Sequence, residues 1–307
     1  MSYRIEQIVE CETYLGESPI WDLETGIFWW VDGTGRRKGK DNIFRLDPRS
    51  GKVDARAIPD HDIGALAIRK DGGLVLALDD GFYFYDFERD TMGLITPIEE
   101  EEPRTRLNDG KVDRRGRFIA GGMDDFEELA ICGIWRLDPD LSTHQIGGGI
   151  ICTNGPSWSP DDKTFYITDT FQNVMWAYDY DIETGALSNQ RDFASTQGRD
   201  GICDGSTVDA DGCIWTAELR TGELVRRTPD GDEERRIGMP VKNITSVMFG
   251  GADLDEIYVT SMARIDHPGA EAHDAFVTED YPQFGAGSLF KVTGLGIRGV
   301  PEPRFGG

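Results

Sequence analysis

The sequence predicts an all-β fold, a six-bladed β-propeller running through residues 1–307 as a single domain. Three observations predict it. A strand–turn–strand pattern recurs six times, each recurrence is followed by a third run of aromatic and β-branched residues, and long helical periodicity is absent throughout. Repeats of about 40 to 50 residues with three or four short strands apiece are the signature of blades set around a central channel.

The units follow one another in chain order. ESPIWDLETGIFWWVD (17–32) is followed by NIFRLDPRSGKV (42–53), and GALAIRKDGGLVLALDD (64–80) by GFYFYDFERDTMG (81–93). NDGKVDRRGRFIAGGMDD (108–125) leads to GIWRLDPDLST (133–143), and NGPSWSPDDKTFYITDT (154–170) to NVMWAYDYDIETGAL (173–187). DGSTVDADGCIWTAEL (204–219) precedes GELVRRTPDG (222–231), and TSVMFGGADLDEIYVTSM (245–262) precedes GSLFKVTGLG (287–296). Several runs alternate apolar and polar residues, the period of a half-buried strand, and several end in D-x-x-x-G or P-D-G turns. The last unit lacks a fourth strand, because IRGVPEPRFGG is rich in glycine and proline, and proline cannot serve a central ladder. The N-terminal run YRIEQIV (3–9) is expected to supply it and so to remove an open sheet edge.

Composition narrows the partners. A formal charge of −24 repels nucleic acid and anionic membrane surfaces at long range, so neither is expected. The opening MSYRIEQIVE has no apolar signal core, and no run reaches the ~18 apolar residues of a membrane span, so a cytoplasmic protein is expected. Five cysteines (Cys11, Cys132, Cys152, Cys203, Cys213), odd in number and without C-x-x-C spacing, argue against a disulfide framework or a zinc knuckle.

A site emerges from the register of the repeats. The apolar residues before the six hairpin turns are Trp21, Ile68, Val112, Trp158, Val208 and Phe249, and four residues earlier stand Glu17, Gly64, Asn108, Asn154, Asp204 and Thr245. The first strand of a blade lines the channel, so these six are expected to ring one mouth of it. Four of them, Glu17, Asn108, Asn154 and Asp204, carry carboxylate or amide oxygens able to hold a metal or a sugar hydroxyl. Such oxygens without Cys or His suit Ca²⁺, Mg²⁺ or Mn²⁺, and zinc also accepts carboxylates. The plainer alternative is that Glu17, Asn154 and Asp204 cap strand starts through local backbone bonds. Their shared register favours the metal. Asn154–Gly155 ordinarily marks a hairpin turn, yet here it opens a strand, with the glycine leaving room for close approach.

The stretches LGESPIWD, RLNDGKVDRRGRFIAGGM, TNGPSWSPDDKTFYITDT, CDGSTVDADGCIWTAE and AGSLFKVTGLGIRGV together resemble the regucalcin (senescence marker protein) and gluconolactonase family over nearly the whole chain. The resemblance implies a propeller that holds one divalent cation and hydrolyses sugar lactones to aldonic acids. It implies Glu17, Asn154 and Asp204 as metal ligands, Asp204 also as general base, and Arg106 and Asn108 as substrate contacts. An acidic substrate contact is implied after AGGM, where Asp124, Asp125 and Glu127 compete and Asp125 is preferred. Pro156 stands where relatives often carry Leu.

Residues 32–41, 123–128 and 263–287 are expected to overhang the same mouth, the last as a candidate lid. Arg36, Arg37 and Lys38 are expected to form a solvated loop, with attraction of an anionic ligand as the alternative. His61, His144, His267 and His273 show no paired spacing that suggests a catalytic dyad, and His61 is expected to stay off the mouth, with reach to it through PDHDIG as the alternative. Two other functions compete with a sugar lactonase: a metal-dependent esterase or phosphotriesterase, and a non-catalytic calcium-binding propeller.

Overall fold

In a computed structural model, residues 3–11, 13–33, 41–99, 102–263 and 285–307 are described. Six four-stranded antiparallel sheets form the six blades of a propeller. The inner strands are β2 (Gly16–Asp22), β6 (Ile63–Ile68), β10 (Thr105–Val112), β14 (Thr153–Trp158), β18 (Ile202–Val208) and β22 (Ile244–Gly250). Each touches its neighbour, and β2 meets both β6 and β22, which closes the ring. The sixth blade takes its outer strand from the N-terminus: β1 (Arg4–Val9) pairs with β24 (Leu289–Thr293).

Burial grades outward. Strands β14, β18 and β22 are buried at every residue, whereas the outer strand β17 (Ala186–Ser195) is mostly exposed. Apolar side chains are sandwiched between neighbouring sheets, as where Phe28 of the first blade stacks on Tyr258 of the sixth with ring centroids 4.6 Å apart. The outer strands end each blade in water, so the fourth strands carry little apolar signal.

Every inner strand breaks register with its partner near the cleft: at Glu17/Ile20, Ile63/Ala65, Leu107/Asp109, Asn154/Ser157, Cys203/Ser206 and Ile244/Val247. A bulge inserts a residue and re-aims the side chain beside it. Repeated in all six blades, it turns the ring residues toward the axis. Pro156 falls inside one such irregularity, on the edge strand of its blade, where a missing N–H costs no ladder bond.

The glycine- and proline-rich C-terminus joins no sheet, as the sequence predicts. It crosses the hairpin-turn end of the axis. Arg304 pairs with Asp22 at 2.6 Å and with Glu24 at 2.8 Å, while Phe305 N–H donates to Ile68 O and Phe305 O accepts from Lys70 N–H. Gly306 N–H donates to Gly116 O, Ala210 N–H to Arg298 O, and Gly299 N–H to Leu254 O. The tail thus ties turns of the first, second, third, fifth and sixth blades. All five cysteines are free, and four are buried.

Candidate metal centre

At the other end of the axis, where the inner strands start, Glu17, Gly64, Asn108, Asn154 and Asp204 line one cleft. The cleft and the open solvent at its mouth together come to about 920 Å³. Thr245, the sixth expected member, does not line it. Its hydroxyl is committed to Gly16 O and to Thr260 Oγ1, tying the sixth blade to the first. Gly155 does allow a close approach, but by the protein itself: a Cβ there, at φ +60°, would stand 2.6 Å from Ser206 Oγ of the next blade.

The electrostatics of the ring fit a cation. Asp204 is buried, and burial, then the charge of Asp109, holds its carboxyl well above the usual carboxylate range. Glu17, partly open to the cleft, is pushed well up by burial, then by Asp204 and Asp109. Among the described residues, no lysine or arginine forms an ion pair with either. Arg106 lowers the Glu17 carboxyl only in part, and two carboxylates sunk together with so little counter-charge cost free energy that a divalent ion with oxygen ligands would offset. Asn154 is buried beside them, and its Nδ2 donates to Thr170 Oγ1 at 2.9 Å, which leaves Oδ1 as its remaining ligand atom. The donor set is therefore of the right chemistry for a hard cation held by Glu17, Asn154 and Asp204.

Around it stands a polar wall. Asn108 Nδ2 donates to Thr153 O at 2.8 Å, and Asn108 Oδ1 accepts from Arg106 Nη1 at 2.9 Å. Arg106 Nη1 also donates to Leu107 O at 3.1 Å, and Nε lies 3.3 Å from Asp125 Oδ1. Most of the guanidinium is thus spent holding the wall, and the second N–H of Asn108 faces Asn154 Oδ1 at 3.4 Å, so one Oδ1 lone pair of Asn108 remains for a ligand. Of the three competing acids, Asp125 and Glu127 line the cleft. Asp124 does not. Its carboxylate accepts two bonds from Arg104, both at 2.6 Å, and further bonds from the N–H groups of Phe126, Glu128 and Leu129.

Asp124 is consequently the staple of the loop that carries Asp125 and Glu127. Burial pushes its carboxyl up, but the Arg104 bonds and the loop N–H groups outweigh that and hold it below the usual range. Its contribution to stability is present above the unfolded carboxylate value of about 4 and is lost as the pH falls through the lower folded value. Asp124→Asn is expected to cost about 2 kcal/mol at pH 7, the scale of charge-assisted bonds, and to flatten the acid limb of the stability profile. Thermal unfolding from pH 7 down to pH 2 checks this; an acid limb as steep as in the parent protein would assign the staple to other groups.

His61 does not line the cleft; its Nδ1 lies 2.9 Å from Asp79 Oδ1. Arg36, Arg37, Lys38, His267, His273 and most of residues 263–287 lie outside the described residues. Two residues escaped the sequence reading. Asp109 is buried, accepts from Gly110 N–H and Gly155 N–H at 2.7 Å each, and so braces the backbone beside Asn154. It stands one residue past the register position of its blade, which the four-residue step passes over. Thr170 lines the cleft from the end of the adjacent strand, with no register of its own to mark it.

A family model described as SMP-30/Gluconolactonase/LRE-like region matches residues 15–263. Regucalcin of Xenopus laevis is 35% identical, over 100% of this chain and 99% of its own. A 6-deoxy-6-sulfogluconolactonase of Pseudomonas putida is 31% identical, over 100% of each chain. Among solved structures, a calcium-binding protein, regucalcin, from Agrobacterium tumefaciens superposes with a TM-score of 0.84 at 28% identity, covering 97% of this chain and 96% of that one.

Proposed function

We propose that this chain, which belongs to the SMP-30/gluconolactonase/LRE-like family, hydrolyses the ring ester of a sugar aldonolactone to the aldonic acid with the aid of one divalent cation. The observation that carries the reading is that Glu17, Asn154 and Asp204, from three different blades, line one cleft together with Asn108, Arg106 and Asp125. The relative that acts on a sulfogluconolactone supports a sugar lactone as the substrate class.

Lactone hydrolysis builds negative charge on the former carbonyl oxygen, and a bound divalent cation supplies the electrostatic stabilisation for that charge. The chain's own residues do the rest. Glu17, Asn154 and Asp204 hold the ion by oxygen. Asp204, burdened by burial and by Asp109, is the base that takes the proton from the attacking water. Asn108 presents its remaining Oδ1 lone pair to a ring hydroxyl, and Arg106, anchored on Asn108 and near Asp125, keeps that wall rigid. Hydroxyls that need fixed polar partners favour a polyhydroxylated lactone over an aryl ester or a phosphotriester.

The test is acid release from a panel of aldono-1,4- and 1,5-lactones by chelator-stripped protein, with Ca²⁺, Zn²⁺, Mg²⁺ or Mn²⁺ restored singly. Turnover is expected to fall at least a hundredfold on stripping and to return with one or more ions. Cation binding without acid release from any lactone would instead favour a non-catalytic calcium-binding propeller.

A further inference from the structure

We propose that Thr170 is the positioning residue of the metal centre, a single hydroxyl that sets the ligand oxygen of Asn154 and steadies the backbone at Asp204. The inference rests on the metal-centre part of the proposed function.

A threonine hydroxyl has one proton to give and lone pairs to receive. The Thr170 Oγ1 proton goes to Cys203 O at 2.9 Å, so toward Asn154 the same oxygen acts as acceptor, and the group 2.9 Å away must be the amide nitrogen. With Nδ2 fixed on that side, Oδ1 is forced to the opposite side of the amide. Asn108 adds a second, weaker constraint, its Nδ2 lying 3.4 Å from Asn154 Oδ1, so that a flipped amide would bring two NH₂ groups together. The carbonyl that takes the Thr170 proton belongs to the residue immediately before Asp204. One side chain therefore touches the amide of a ligand in the fourth blade and the backbone beside a ligand in the fifth.

Thr170 is 2% exposed and directly follows β15 (Thr164–Asp169), and its own N–H donates to Cys152 O at 3.1 Å. Its backbone is thus fixed by a neighbouring segment, and its hydroxyl is held in place before any ion arrives. Such outer partners orient ligands and govern affinity, typically tenfold to a hundredfold. Valine has the shape of threonine but neither donates nor accepts, and serine keeps the hydroxyl while losing the methyl.

The experiment is calorimetric titration of chelator-stripped, full-length protein with Mn²⁺ and Ca²⁺ for Thr170→Val and Thr170→Ser, with near-ultraviolet circular dichroism to confirm native packing. Thr170→Val is expected to weaken binding tenfold or more and Thr170→Ser less than threefold. In an Asn154→Asp background, which has no amide to orient and leaves only the bond to Cys203 O to be lost, the valine change is expected to cost less than in the parent background. Unchanged affinity in Thr170→Val, or equal losses in the valine and serine variants, overturns the proposal. Should the valine variant lack a native spectrum, Thr170→Ala replaces it with the same expected and overturning results. Parent protein that binds no divalent ion at millimolar concentration overturns this inference together with the metal centre. Threonine-dependent binding in a protein that opens no lactone supports the inference and removes only the lactonase reading.

Discussion

Asp204→Asn is expected to lower lactone turnover about a thousandfold while raising the melting temperature of the cation-free protein. The loss follows from the two roles proposed for Asp204, proton acceptor and anionic ligand; general-base catalysis alone contributes roughly 10²- to 10⁴-fold. The gain in stability follows from the same geometry. Asp204 is buried, near Glu17 and Asp109, and no cationic side chain among the described residues forms an ion pair with it. An isosteric amide keeps the shape and removes the charge, which is worth about 1–2 kcal/mol, or a few degrees. The sign with pH is fixed by the raised carboxyl. A group whose folded value lies above its unfolded value near 4 binds its proton more tightly when folded, so the cation-free parent loses stability as the pH rises through that window. The Asn variant is expected to show a shallower decline. Melting curves in chelator at pH 5 and pH 8, beside initial rates with cation restored, test both halves. A variant that keeps more than a tenth of parental turnover, or melts lower than the parent at pH 8, is incompatible with an uncompensated catalytic carboxylate.

Phe305→Ala is expected to destabilise the protein by about 3–5 kcal/mol, a drop of roughly 5–8 °C in melting temperature, with kcat/KM at 25 °C within twofold of the parent. The ring is fully buried in a cluster with Phe82 and Phe118, although only Gly306 and Gly307 follow it in the sequence. Its backbone is hydrogen-bonded on both sides, to Ile68 O and Lys70 N–H, so the surrounding structure has little freedom to collapse into the space left by truncation. The tail crosses the end of the axis away from the cleft, hence the separation of stability from activity. A shift below about 2 °C would show that the tail decorates the propeller rather than closing it.

How much of the site could be read beforehand turns on one regularity. Stepping back four residues from the hairpin anchors found Glu17, Asn108, Asn154 and Asp204 because the same strand irregularity recurs in all six blades and keeps the count constant. Where a residue acts across that register, the count is blind. Asp109 braces Gly155 from a neighbouring blade, and Thr170 reaches Asn154 from the next strand of the same blade. Asp124, Asp125 and Glu127 are chemically alike within four positions, and only the pairing of Asp124 with Arg104 separates the loop staple from the acids that line the cleft. The fourth strands stayed faint for another reason: ALSNQRDFAS is mostly open to water, so neither apolar alternation nor β-branched residues mark it.

The sequence by itself determined the six-fold repeat, the closure of the last blade by the N-terminal strand and the chemical kind of the ring, because burial against a neighbouring sheet imposes a two-residue period and turns impose their own residues. Only the tertiary structure decided which ring member drops out, which acids face the cleft, that the C-terminus crosses the far end of the axis, and which hydroxyl accepts from the Asn154 amide. Those choices depend on partners that are distant in the chain or sit off the repeating register, and a hydrogen bond between such groups leaves no local pattern in the sequence of either one.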